Sequence, residues 1–506
     1  MTKRESTMFD SSVVYATEMW SDADLGDTRR TERAVAALSI VTYCPQGSFV
    51  EACQGNKAEQ EQLYRFIRDE KSDRSALIDA GCAATCRLAE GECNDEVVVV
   101  QDTTSYGYRH AVREELGDLG SGRAESGRRG FFAHVSMAVD AERGTVIGPV
   151  DVQFAIRPVR VNTGKRDNKK IPYENKESFK WEAAAMAVDQ RCAEFRERLV
   201  FVSDRESDVY EYMMAMLGSD LRFVVRSSWD RRLEGGKTRL RVHLAQTAPQ
   251  CRVRVHIDQK GGRRARDAIL EVRATMVRFN GRANSHEVLP LLELNAVHLT
   301  EVDPPDGVEP IDWLLLTTEG ISSVGKIIRV VRLYCLRWLI EEYNKCCKSD
   351  GTDIEALRMQ TRDSLLRATV LCMFAAVPLM RLRGDLLGSD IRSRWPELID
   401  EPSSPPVAEQ PPSPPCTTVL PHLYWVTLWA AVERVRPLPD QTPTCQWALQ
   451  ALAKLGGWMD SKRTGRPGYR SMWKGWDRLL ERVDAVRLAT TYDGGRSFCS
   501  DEDGEK

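Results

Sequence analysis

Two apolar strands, each closed by an aspartate, constrain this chain more than any other feature. Val97-Val98-Val99-Val100 runs into Gln101-Asp102, and Leu199-Val200-Phe201-Val202 runs into Ser203-Asp204. Unbroken apolar runs of this length read as strands covered on both faces. Between them, the alanine-rich stretch 176–198 has the 3.6-residue period of a helix. Such a succession points to a mixed α/β fold, in which sites lie beyond the carboxyl ends of the strands. Asp102 and Asp204 are placed there, although an aspartate after a strand also serves as a turn or helix cap. Asp208 is a weaker candidate, a turn further on.

Further strands are predicted at 129–140, 145–156 and 222–226. From about 228 to 312 the pattern becomes alternating and arginine-rich, as in an antiparallel sheet. Its most basic turn carries Lys260, Arg263, Arg264 and Arg266, which suits either an exposed hairpin tip or backbone phosphates. Trp313 opens the strand that follows, where an aromatic serves a core as readily as a base-stacking platform. Before residue 75 the chain reads as short helices, the first capped by Gly26-Asp27. Arg29, Arg30, Arg33, Arg65 and Arg68 lie on them, within a nearly charge-balanced segment.

At 506 residues the chain exceeds a single core. The patterns divide it into a helical unit at 1–75, an α/β unit at 76–390 with its β insertion, and a helical unit at 391–506. The last contains the proline-rich 401–415 and a charged tail expected to be disordered. A net charge of −3 means that any DNA-binding surface is local. The charged opening MTKRESTMFD has no signal-peptide pattern, and the apolar run Leu365–Met380 reads as too short to span a bilayer, so no membrane association is expected. Fourteen scattered cysteines without a CxxC pair suggest reduced thiols.

The stretch 334–348, YCLRWLIEEYNKCCK, spaces Tyr334, Arg337, Glu341, Lys345 and Lys348 at 3, 4, 4 and 3 residues. On an ideal helix they fall within an arc of about 80°. Surface ion pairs at i and i+4 explain that spacing. So does a carboxylate beside a phosphate-gripping face of arginine, lysine and phenol. Joined by Asp102 and Asp204, Glu341 would complete a set of hard oxygen ligands for Mg²⁺ or Mn²⁺.

The chain resembles the DDE transposases of the insertion sequence four family. The resemblance rests on Tyr334, Arg337, Glu341 and Lys348 in Y-(2)-R-(3)-E-(6)-K spacing, on QDTTS at 101–105, and on SDRESD at 203–208. DLGDTRR at 24–30, LYRFIRD at 63–69, KESFKW at 176–181, DWLLLT at 312–317 and LGGWMDSKRTG at 455–465 extend it over about 18–485. It implies a ribonuclease-H-like core interrupted by a β subdomain, with an N-terminal end-binding domain and a C-terminal dimerisation region. The implied activity is cut-and-paste transposition through hairpinned ends, in the cytoplasm, by a homodimer on transposon-end and target DNA. Asp102, Asp204 and Glu341 would hold Mg²⁺. Tyr334, Arg337, Lys345 and Lys348 would grip the phosphate beside a flipped base, with Trp313 stacked on that base. Arg33 and Arg65 would help read the end sequence. The proline-rich 401–415 and the shortened basic hairpin depart from the family pattern. A catalytically silent end-binding protein and a general metal-dependent nuclease are the alternatives.

Overall fold

The computed structural model describes residues 12–45, 48–120, 128–158, 171–257, 266–282, 288–387, 396–399, 413–461 and 467–493. Eleven strands form one mixed sheet. In chain order they are β1 (Val97–Tyr108), β2 (Gly117–Asp118), β3 (Arg129–Asp140), β4 (Val146–Ala155), β5 (Leu199–Ser203) and β6 (Arg222–Arg226). β7 (Cys251–Ile257), β8 (Arg266–Arg282), β9 (Val288–Glu301), β10 (Asp312–Thr317) and β11 (Glu397–Ile399) complete the set. Across the sheet the order is β11-β7-β8-β9-β10-β6-β5-β1-β3, with β2 and β4 both pairing with the far side of β3. β1, β5 and β6 run parallel, and the other pairs run antiparallel. The arginine-rich strands β7 to β9 therefore join the sheet through β10.

Alternation puts each strand's side chains into two cores. Val98, Val100, Val200, Val202, Val224 and Leu315 face one side. There they meet helices Val324–Leu336, Trp338–Lys345 and Arg362–Ala375 and the N- and C-terminal helices. Val97, Val99, Phe201, Phe223, Val225 and Leu316 face the other, against Phe179–Arg191, Tyr210–Gly218 and Leu240–Gln246. The valine run is buried on both sides, as its lack of polar alternation requires.

β1 does not end at its aspartate. β5 accompanies it only from Val97 to Val100, but antiparallel β3 pairs with it all the way to Tyr108. Asp102 therefore sits inside a strand, just past the point where its parallel neighbour stops. The helix Thr28–Tyr43 is capped as its sequence indicates, Asp27 accepting from the Arg29 N–H at 3.0 Å. Helices Arg362–Ala375 and Val377–Leu387 follow one another as one helical run of 26 residues. That run is long and apolar enough to cross a membrane, contrary to the shorter reading, but 89% of its apolar window is buried in this fold. Its Arg367, itself buried, donates to the carbonyls of Ser72 (2.6 Å) and Ile67, tying the N-terminal helices to the core. Cys86 and Cys192, 106 positions apart, form a disulfide, where scattered spacing suggested only free thiols. Lys260, Arg263, Arg264, residues 401–412 and the tail beyond 493 lie outside the described residues.

Candidate active site and nucleic-acid interface

Extending the β1–β5 register by two places sets Asp102 level with Asp204. Asp102 shares the face of Val98 and Val100, and so points toward helix Trp338–Lys345. Nδ2 of Asn344 donates to its Oδ2 at 2.8 Å. Asp102, Thr104, Glu341, Asn344, Lys345 and Lys348 line one pocket of about 280 Å³. Burial first, and then the nearby charges of Asp204 and Glu341, together push the Asp102 carboxyl up to about 6, against the backbone amide of Thr103 and the Arg337 guanidinium. Acids from a strand, a turn and a helix thus share one field.

Each carboxylate also has a partner within the chain. Glu341 accepts from Nη2 of Arg337 at 2.6 Å, and Asp204 caps the turn Arg205–Ser207 through the Glu206 N–H at 2.9 Å. Among the described residues no three such groups are close enough together to hold a metal ion. The donor set nevertheless suits a hard divalent cation, being all carboxylate oxygen and mutually repelling. Glu341 would have to exchange Arg337 for the ion. Asp208 is a structural residue: its side chain is fully buried, pairs with Arg231 at 2.5 Å, and accepts from the N–H groups of Ser228 and Trp229.

The stretch 334–348 is not one ideal helix. The first helix stops at Leu336, and the Arg337 N–H bonds back to Tyr334 O at 3.1 Å, an i−3 turn. Residues Cys346–Asp350 then open into a π-turn. The face survives these adjustments but differs in depth. Tyr334 is buried, with its ring 5.4 Å from Trp313 in an edge contact. Arg337 lies under the surface, 5.7 Å above the Tyr334 ring. Lys345 is exposed, and Lys348 is half-buried with Nζ 5.7 Å from the Tyr106 ring. Burial lowers the Lys348 ammonium from its ordinary value. The Tyr334 hydroxyl, Arg337 Nε and Asn344 Oδ1 are buried with no hydrogen-bond partner among the described residues. Such groups are costly unless something else satisfies them. Trp313 is half-buried beside them. Asn344 is neutral and so adds nothing to the charge pattern of the sequence; its place three residues after Glu341 is the signal that marks it.

A second concavity, of about 890 Å³, lies on the N-terminal helices. Arg30, Arg33, Lys57, Arg65, Arg68 and Lys71 line it with Tyr64, against only Glu61 and Asp69. Asp69 is already engaged by Arg30 at 3.2 Å. Helices Thr28–Tyr43 and Lys57–Arg68 present Arg33 and Arg65 to the same groove. Arg266 does not serve a basic hairpin tip: it is held at 2.6 Å by buried Glu301.

Residues 13–72 match a protein family described as transposase DNA-binding. The basic groove lies inside the matched segment. The chain thus carries a transposase's DNA-binding unit, and DNA is its partner.

Proposed function

We propose that this is a cut-and-paste DNA transposase of the DDE type, similar to the transposase of transposon Tn-five. It would bind transposon ends through the N-terminal groove and cut and join DNA at the carboxylate pocket. The observation that carries the reading is that pocket. It joins Asp102 from β1 to Glu341 and Lys345 from the helix and Lys348 from the π-turn after it, with Asp204 level on the neighbouring strand edge. The order β4-β3-β1-β5-β6, with β1, β5 and β6 parallel, supports a ribonuclease-H-like core.

Divalent cations bound by Asp102, Asp204 and Glu341 would supply Lewis-acid polarisation and an activated water or 3′-hydroxyl. Asn344 holds the Asp102 carboxylate against the pocket wall. Arg337, Lys345 and Lys348 would neutralise the phosphate, the guanidinium by its unused Nε. The Tyr334 hydroxyl is free to donate to the same phosphate, and Trp313 would face a displaced base. The protein would act in the cytoplasm as a homodimer, each copy holding one end.

The test is cleavage of DNA carrying the element's own terminal repeats, with Mg²⁺, Mn²⁺ or EDTA. Metal-dependent release of hairpinned ends is expected. Selective binding without cleavage in either metal would assign a silent end-binding protein, and cleavage without end preference a general nuclease.

A further inference from the structure

Trp229 stands on the short loop after β6, with 65% of its surface exposed. Single exposed apolar residues are ordinary on protein surfaces. The loop beneath this one is not ordinary. Fully buried Asp208 accepts from the Ser227 hydroxyl (3.0 Å), the Ser228 N–H (2.7 Å) and the Trp229 N–H (3.0 Å), and pairs with Arg231. The Trp229 carbonyl in turn accepts from the Arg231 N–H at 3.1 Å. A buried carboxylate is thus committed to fixing the backbone from which one indole projects into water.

The place also matters. β5 and β6 are parallel neighbours, with Ser203 opposite Val225. Asp204 and the Trp229 loop therefore leave the same edge of the sheet, and the Ser228 hydroxyl donates to Arg205 O at 3.3 Å. Exposed Arg205 and Arg239 belong to the loop's surroundings, the Arg239 guanidinium donating to Asp230 O at 2.8 Å; Arg232 and Lys237 are exposed further along the chain, and the acids nearby in sequence are Glu206, Asp230 and Glu234. A flat aromatic on a rigid support, set among cations, fits a nucleobase above a phosphate backbone.

We infer that Trp229 is a base-stacking residue, receiving an unpaired nucleobase of the DNA held along the carboxyl edge of the parallel strands. It is separate from Trp313, whose ring is already packed on Tyr334. This rests on the transposase reading for the identity of the DNA, but the stacking chemistry can be tested alone.

The full chain is assayed with a single-stranded thymidine homopolymer and with a paired duplex of equal length, as wild type, Trp229→Ala and Trp229→Phe. Trp229→Ala is expected to weaken homopolymer binding by about five- to a hundred-fold, the loss of one base–aromatic stack. Trp229→Phe should recover most of it, with duplex binding and melting temperature unchanged. Unchanged homopolymer affinity in Trp229→Ala overturns the inference, as do equal losses in both variants. A fall in oligomeric mass by light scattering, with DNA affinity intact, overturns it in favour of a contact between copies. If wild type cuts no terminal-repeat DNA while the Trp229→Ala loss persists, the transposase reading fails and the stacking site stands.

Discussion

Glu341 both faces the pocket and neutralises Arg337, so its truncation has two effects. Glu341→Ala removes a carboxylate and strips a nearly buried guanidinium of its partner, whereas Glu341→Gln keeps a hydrogen-bond acceptor for Arg337. Both variants are expected to keep end binding in gel-shift assays. Both should lower cleavage by about a thousand-fold or more, equivalent to about 4 kcal/mol of barrier. Only the alanine should also lower the melting temperature. Metal-dependent cutting at the wild-type rate would remove Glu341 from the site. The acids stood out because the apolar run before each aspartate and the helical spacing around Glu341 are local patterns, although Asp102 lies inside β1 and not at its end. Asn344 and Trp229 were not, because their significance comes from Asp102 and Asp208, which lie far away in sequence.

Asp477 gives a pH prediction. Burial, and then the charge of Glu481, raise its carboxyl from 3.8 to about 7, and its Oδ1 is buried without a partner among the described residues. A raised acid favours the protonated native state. Its contribution is therefore fully present below about pH 4 and is lost as pH rises through 7. Asp477→Asn should raise the melting temperature at pH 8 and change it little at pH 4. Equal shifts at both pH values would rule out titration of Asp477 as the cause.

Among the elements, the C-terminal helix Tyr469–Asp493 and the helix bearing Glu341 are locked together. Nη1 of Arg383 donates to Glu342 Oε2 (2.9 Å) and to the Tyr469 hydroxyl (2.7 Å), and that hydroxyl meets Glu342 at 3.1 Å. The Trp473 indole N–H points at Cys346 Sγ, 3.4 Å away. A Cβ on Gly351 would come within 2.6 Å of both Cys346 Sγ and Trp473 Nε1, so only glycine allows the π-turn to pack here. Arg383→Ala leaves the mostly buried Glu342 with only the Tyr469 hydroxyl and should cost about 3 kcal/mol. Hydrogen exchange should then accelerate in both helices, and loss confined to one would refute the coupling. Strand positions were readable because periods of two and unbroken apolar runs are local. The break at Arg337 was not, because it depends on packing across the sequence.

For the whole molecule, the net charge of −3 conceals a groove lined by six cations and two acids. DNA affinity should therefore depend steeply on salt despite the acidic chain. Replacing Arg33 and Arg65 together by alanine should lower the slope of log affinity against log salt by about 1.8, about 0.9 for each lost phosphate contact. An unchanged slope would place the DNA elsewhere. The groove was hidden from composition because Glu32, Glu59 and Glu70 balance the charge of the segment without lining the cavity.

The sequence by itself determined the α/β class, the strands and most helices, and the acids and cations of which the fold brings Asp102, Glu341, Lys345 and Lys348 to one pocket. These follow from steric period and burial preference, which act between near neighbours. Tertiary structure alone decided that β1 runs on past Asp102, because β3 supplies hydrogen bonds after β5 has ended. It likewise decided that Asn344 holds Asp102, that Asp208 anchors a loop, and that Trp229 rather than Trp313 projects into water. Those outcomes depend on which distant groups meet once apolar faces are buried, and local periodicity carries no record of such meetings.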